Sequence, residues 1–123
     1  MTKNQLKLKY LRATQRMWEW LAGHPTKSKS AYAPGCKFIN MCPLCAYRHA
    51  VDYNACGGQC LLAKHVWPQG CMSDDTSALI AWGRAKDRKS YSSVTRHAQR
   101  IVDACRIEIR KLTRKRKRRA RKA

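Results

Sequence analysis

A cluster of five cysteines in thirty residues constrains the fold of this chain more than any other feature. Two of them form a C-x2-C pair, and after ten residues two more form a C-x3-C pair, with one further cysteine ten residues later. The five are Cys42, Cys45, Cys56, Cys60 and Cys71. A C-x2-C turn lets two thiolates reach one ion, and structural Zn2+ takes four such ligands in a tetrahedron. We therefore predict a structural zinc ion held by four of these five cysteines.

The identity of the ligands is only partly set by spacing. Cys42 and Cys45 form the first pair, and the second is either Cys56 with Cys60 or Cys60 with Cys71. His49 and His65 lie at workable spacings after a cysteine and could each replace a thiolate, although such histidines are more often surface groups. Cysteines that merely pack in the core, or that form disulfides, are the two other interpretations.

The small size of the chain means that a bound metal ion would add to the stability of the fold. With 123 residues it fits one domain, and small domains often need a staple beyond their hydrophobic core. We expect no secretory signal peptide and no membrane-spanning helix, and hence a cytoplasmic protein. Thiols stay reduced there, and the seven cysteines are an odd number, so a metal site is favoured over a disulfide framework.

Helical periodicity precedes the cysteine cluster. Residues 5–22 contain no Gly or Pro, and their apolar residues recur every three or four positions, which predicts an amphipathic helix that ends at Gly23 and Pro25. The buried stripe is Leu8, Leu11, Thr14, Met17, Trp18 and Leu21.

Two more helices are predicted in residues 74–112. The first is capped by Ser73 or Asp74, ends near Lys89 and buries Leu79, Ile80 and Trp82. The second begins among the serines at 90, 92 and 93, and Leu112 ends its apolar stripe. That stripe is Val94, Ala98, Ile101, Cys105 and Leu112, flanked by Val102 and Ile109.

The predicted fold is a small mainly-α zinc protein, with two or three helices packed on a cysteine-rich zinc module. Residues 1–112 form one domain with the module at 36–72, and residues 113–123 form a basic tail. Nothing in that tail can be buried, so we expect a frayed helical extension or a disordered segment that a partner orders.

The charge of the chain indicates its partner. The net charge is +20, from 27 Lys and Arg against 7 Asp and Glu, which favours a polyanion and above all nucleic acid, either DNA or RNA. Ten basic residues are concentrated near the C-terminus. They are Arg110, Lys111, Arg114, Lys115, Arg116, Lys117, Arg118, Arg119, Arg121 and Lys122.

Catalytic motifs are missing from the sequence. No H-x-E accompanies the C-P-L-C motif as in zinc deaminases, no H-E-x-x-H occurs, and acidic residues are scarce. We therefore predict that the protein is not an enzyme.

One family resembles this layout. The chain contains, in this order, Trp18 and Trp20, the motif Cys42-Pro-Leu-Cys45, a second cysteine pair, and Gly70-Cys71. This order resembles the one found in a loose group of small, uncharacterised phage-encoded zinc proteins. Here the second pair is C-x3-C instead of C-x2-C, and Leu61 stands where that group usually has Pro. The resemblance implies a phage origin and a bound zinc.

Two functions follow as expectations. The first is non-catalytic binding of nucleic acid or a nucleoprotein through the basic surface. The alternative is a phage-encoded inhibitor of a host machine, an anti-CRISPR or an RNA-polymerase-binding factor, which acts through protein and guide-RNA contacts.

Overall fold

The architecture is helical throughout the described part of the chain. A computed structural model describes residues 2–27, 62–66 and 77–122, with backbone only at 63, 64 and 115–122. The elements in chain order are α1 (Lys3–Gly23), α2 (Ala63–Val66), α3 (Ala78–Asp87) and α4 (Tyr91–Lys122). Three of these helices are long, α2 is a single turn, and no strand occurs in these ranges. The predicted mainly-α class is therefore confirmed.

Helix α1 matches its prediction except for its first turn. It begins two residues earlier because Thr2 and Gln5 form a capping box: the Gln5 amide donates to the Thr2 hydroxyl at 3.2 Å, and the Thr2 amide donates to the Gln5 side chain at 2.9 Å. The predicted stripe is buried in full. Its polar member, Thr14, donates to the Tyr10 carbonyl at 2.8 Å, so its hydroxyl is satisfied inside the core.

Helix α3 begins later than predicted. Its N-cap is Ser77, whose hydroxyl accepts from the amides of Leu79 and Ile80, and not Ser73 or Asp74, which lie outside the described residues. The buried face also differs from the prediction. Alongside Trp82 it contains Ala78 and Ala85, whereas Leu79 and Ile80 are only half-buried.

A tight turn joins α3 to α4. The amide of Ser90 donates to the Ala85 carbonyl at 2.9 Å, and that of Lys89 donates to Lys86 at 3.0 Å, which is the bonding of a Schellman motif. Lys89 takes the left-handed position of this motif with φ 56°, where glycine is the usual residue. The turn starts α4 at Tyr91, among the serines where the sequence predicted it.

Helix α4 is the central element, because α1 and α3 both pack mainly against it. The Thr95 hydroxyl donates to the Ala22 carbonyl at 3.1 Å, and Arg106 reaches Glu19 at 3.4 Å. Residue numbers rise along α4 as they fall along α1, so the two helices run antiparallel. The predicted stripe of α4 lies in the core, with Ile109 and Leu112 packed at its edge.

Two tryptophans close the other side of the core. The ring centroids of Trp18 on α1 and Trp82 on α3 are 5.1 Å apart at 83°, an edge-to-face contact. The Lys86 ammonium lies 4.7 Å from the Trp82 ring and donates to the Lys27 carbonyl at 3.0 Å. Burial lowers the pKa of Lys86, although Asp87 opposes the effect.

The backbone of α4 shows no break after the core ends at Leu112. The sequence predicted a frayed helical extension or a disordered tail from residue 113, and the structure shows the helical extension, as one helix of 32 residues through Lys122. The packed part of α4 has already met the cost of nucleation, and Lys, Arg and Ala are good helix formers, so propagation is favoured. Among the described residues, no helix is long and apolar enough to cross a membrane.

Candidate nucleic-acid interface

One side of α4 carries a line of exposed residues that ends in the basic segment. Its members follow each other at three- or four-residue intervals, so they lie on one face of the helix. They are Arg96, Arg100, Asp103, Ile107, Arg110 and Arg114, and all are exposed. We call the four arginines of this line the basic face of α4; it spans about 27 Å along the helix axis.

Acidic groups neutralise little of this face. Asp103 and Glu19 both approach the guanidinium of Arg106, at 3.6 and 3.4 Å, so these two acids are engaged by an arginine outside the basic face. Arg96, Arg110 and Arg114 make no ion pair within the described part of the chain. Their charge is therefore available to a partner.

His97 lies in the positive field of this region. Burial lowers its pKa, and Arg100, Arg96 and Arg88 lower it further. Arg100 donates to Nδ1 of His97 at 3.2 Å, a hydrogen bond that requires a neutral ring with its lone pair on that nitrogen. The histidine is thus a partly buried ring in the positive local field of three arginines near the start of α4.

A second basic surface lies on α1. Lys9, Arg12 and Arg16 are exposed at the same three- and four-residue spacing and make no ion pair within the described ranges. Glu19 continues the spacing and contacts Arg106 of α4. The outer sides of the two helices therefore meet at this ion pair.

Helix α2 attaches the cysteine-rich part of the chain to α4. Leu62 and Val66 are buried in the core, and Nε2 of His65 lies 2.7 Å from the Glu108 carboxylate. Both side chains are mostly buried, at 20% and 14% exposed, and Lys111 contacts the same carboxylate at 3.4 Å. Leu62 follows Cys60 by two residues, so this contact lies close in sequence to the cysteine cluster.

The residues predicted to bind nucleic acid are brought together only in part. Arg110 and Arg114 lie exposed on one face, while Lys111 is exposed and bonded to Glu108. The other seven continue α4 as helical backbone, and their side chains lie outside the described residues. This set is confined to the C-terminal segment, and the structure adds Arg96 and Arg100 to the same face of α4. The contact of His65 with Glu108, 43 residues apart, has no local signal.

The predicted zinc ligands fall outside the described ranges. Cys42, Cys45, Cys56, Cys60 and Cys71 all lie there, as does His49. Within the described ranges no group of three or more His, Cys, Asp or Glu could hold a metal ion. The zinc site stays a prediction. Cys105, predicted to be a core residue, is buried on α4 as expected.

Comparisons with known proteins add no family to this picture. No protein-family model matches the chain, and neither a curated protein nor a solved structure matches it. The resemblance to phage proteins therefore stays a hypothesis based on the cysteine pattern.

Proposed function

We propose that this chain is a non-catalytic protein that binds nucleic acid through the basic face of α4. The observation that carries the proposal is the line Arg96, Arg100, Arg110 and Arg114, which is exposed and regular and has few acidic partners among the described residues. Arginines that neutralise phosphates release condensed counterions, and this release is the main source of sequence-independent affinity.

A structural zinc ion belongs to the same proposal. Four of the five clustered cysteines would hold it, and it would order a segment that has few aliphatic residues for burial. The contact of His65 with Glu108 supports a mechanical role, since it joins that segment to the helix that carries the basic face. The proposed location is the cytoplasm of a bacterial host, with a phage origin.

The salt dependence of binding tests the main proposal. Fluorescence anisotropy with a labelled oligonucleotide should give an association constant that falls linearly on a log–log plot against salt. Four phosphate contacts predict a slope near −3.6, and contacts from residues 115–122 would steepen it. A protein that binds no oligonucleotide at low salt would contradict the proposal.

One exposed side chain favours a second candidate. Ile107 is 42% exposed in the middle of the basic face, and an apolar residue at that place suits a protein surface within a nucleoprotein. The second candidate is therefore an inhibitor that docks on a host nucleoprotein machine.

A pull-down from bacterial lysate, with and without nuclease, separates the two candidates. A partner that persists after nuclease and is lost with Ile107→Ser supports the inhibitor. A partner that disappears with nuclease and is insensitive to Ile107→Ser supports direct nucleic-acid binding.

A further inference from the structure

We propose that the end of α4 is a preformed helical arm that enters the major groove of duplex DNA; this inference rests on the nucleic-acid binding proposed above. It goes further by naming the form of nucleic acid and the way in which the helix meets it. Three features support it: the reach of the arm, the distribution of its charges and the width of a single helix.

The reach follows from the antiparallel pairing of α4 with α1. Thr95 contacts Ala22, and from that contact 27 residues of α4 run to Lys122 while 19 residues of α1 run back to Lys3. At 1.5 Å per residue, α4 outruns α1 by about 12 Å. Any tilt between the two helices shortens the overlap, so the end of α4 projects past its neighbour.

The charges on this segment favour one side. Between 110 and 122, helical periodicity at 100° per residue puts nine of the ten basic positions within an arc of about 200°. That arc continues the exposed line of Arg110 and Arg114. Position 116 is the one basic position outside it, in the remaining wedge together with Leu112, Thr113 and Ala120. The wedge continues the core-facing stripe of α4.

An arc of this width suits a groove better than a flat surface. A helix lying on one strand or on a membrane surface needs a narrow stripe of charge, whereas a helix in a groove faces phosphates on both walls. The major groove of B-DNA is about 12 Å wide and accepts a helix about 10–12 Å in diameter. The packed part of α4 is too broad, because α1 and α3 flank it, whereas no other described helix extends beside the projecting arm, which there has the width of a single helix.

Other forms of nucleic acid fit less well. The major groove of A-form RNA is deep and narrow, so a helix of this diameter does not enter it unless the RNA is distorted. Single strands are usually bound by aromatic side chains that stack on bases. Among the described residues, the exposed line of α4 contains no aromatic residue, Trp18 and Trp82 are buried in the core, and the exposed Tyr91 lies at the first turn of α4, outside that line.

Repulsion between like charges on the arm links the helix content of the arm to DNA binding. Six pairs of basic positions, four residues apart, repel each other: 110–114, 111–115, 114–118, 115–119, 117–121 and 118–122. Phosphates on both sides of the arm would relieve this repulsion. Duplex DNA should therefore increase the helical circular dichroism signal of the protein at low salt.

A matched pair of variants at position 116 tests the inference, because this position lies outside the charged arc. Arg116→Ala and Arg116→Pro remove the same charge, but only proline interrupts the helix. The affinity of each variant and of the natural protein is measured for a DNA duplex of about two turns, for the RNA duplex and for a single strand, at equal phosphate concentration. Tryptophan fluorescence of Trp18 and Trp82 checks that the core stays folded.

The expected result is specific to duplex DNA. Arg116→Pro should bind it at least about tenfold more weakly than Arg116→Ala, which removes the same charge. The two variants should bind the single strand equally. Two results would overturn the inference and leave the proposal of nucleic-acid binding intact. One is that the two variants bind duplex DNA with equal affinity. The other is that the natural protein binds the RNA duplex or the single strand as tightly as it binds duplex DNA. A natural protein that binds none of the three overturns both.

Discussion

Loss of two arginines from the basic face of α4 should weaken nucleic-acid binding far more than loss of two arginines from α1. The test variant is Arg110→Gln with Arg114→Gln, and the matched control is Arg12→Gln with Arg16→Gln. All four arginines are exposed, each pair is four residues apart on one helix, and none makes an ion pair within the described ranges. Both variants lower the net charge from +20 by two, so only position differs.

The magnitude follows from counterion release. Each phosphate contact contributes about 0.9 to the slope of log affinity against log salt, which corresponds to about fivefold in affinity at 0.15 M salt. Two contacts on α4 therefore account for about thirtyfold, or about 2 kcal/mol, and for about 1.8 of the slope. The α1 variant acts only through the long-range field, which is screened over about 8 Å, so its affinity should change by less than about threefold.

The assay is an anisotropy titration of a labelled duplex at several salt concentrations, with thermal melting of each variant as the folding control. Melting should change little, because exposed positions rarely contribute more than about 0.5 kcal/mol. Equal losses of affinity and slope in the two variants would refute the reasoning. The partner would then respond to total charge, and the exposed line on α4 would have no special role.

Three further predictions concern the metal, the core and pH. Metal analysis of the purified protein should find about one zinc ion per chain. Cys42→Ser or Cys45→Ser should abolish zinc binding. Cys105→Ala should keep the zinc ion and lower the free energy of unfolding by only about 1–2 kcal/mol. Trp18→Ala should destabilise the fold by about 3–5 kcal/mol in denaturant titrations, because the indole is fully buried against α3 and α4; a loss below about 1 kcal/mol would contradict that packing. The pKa of His97 should lie below the ordinary value of about 6.5 in an NMR titration and should rise when DNA covers the neighbouring arginines. Because the folded state lowers this pKa, the contribution of His97 to stability is present above about pH 6.5 and is lost as the pH falls through the lowered pKa. A His97 pKa that does not change when DNA binds would show that the DNA contacts another part of the protein.

Local patterns were sufficient where one helix buries one continuous stripe. The stripe of α1 and that of α4 from Val94 to Leu112 follow the helical repeat, so both could be read before the structure was known. The start of α3 could not be predicted from the sequence. Ser73, Asp74 and Ser77 are all good N-caps, and only packing against α4 determines that Ala78 and Ala85 accompany Trp82 in the core.

The candidate site also combines features that the sequence predicts with features that depend on the tertiary structure. The basic segment from Arg110 is visible in composition alone, but its association with Arg96 and Arg100 depends on one unbroken helix whose exposed side is defined by the helices on its other sides. The continuation of α4 past Leu112 also depends on tertiary structure, since a short segment of like charges lacks a nucleus until the packed turns before it provide one.

The sequence by itself determined the helical class, the stripes of α1 and α4, and the clustering of positive charge, because each depends on residues close together along the chain. The tertiary structure alone decided the cap of α3, the edge-to-face contact of Trp18 with Trp82 and the bond between His65 and Glu108. The two side-chain contacts join residues that are far apart in sequence, whereas the cap is local but is selected among several candidates by packing against α4. Their partners are chosen by which surfaces meet when the core closes, and no local periodicity encodes that choice.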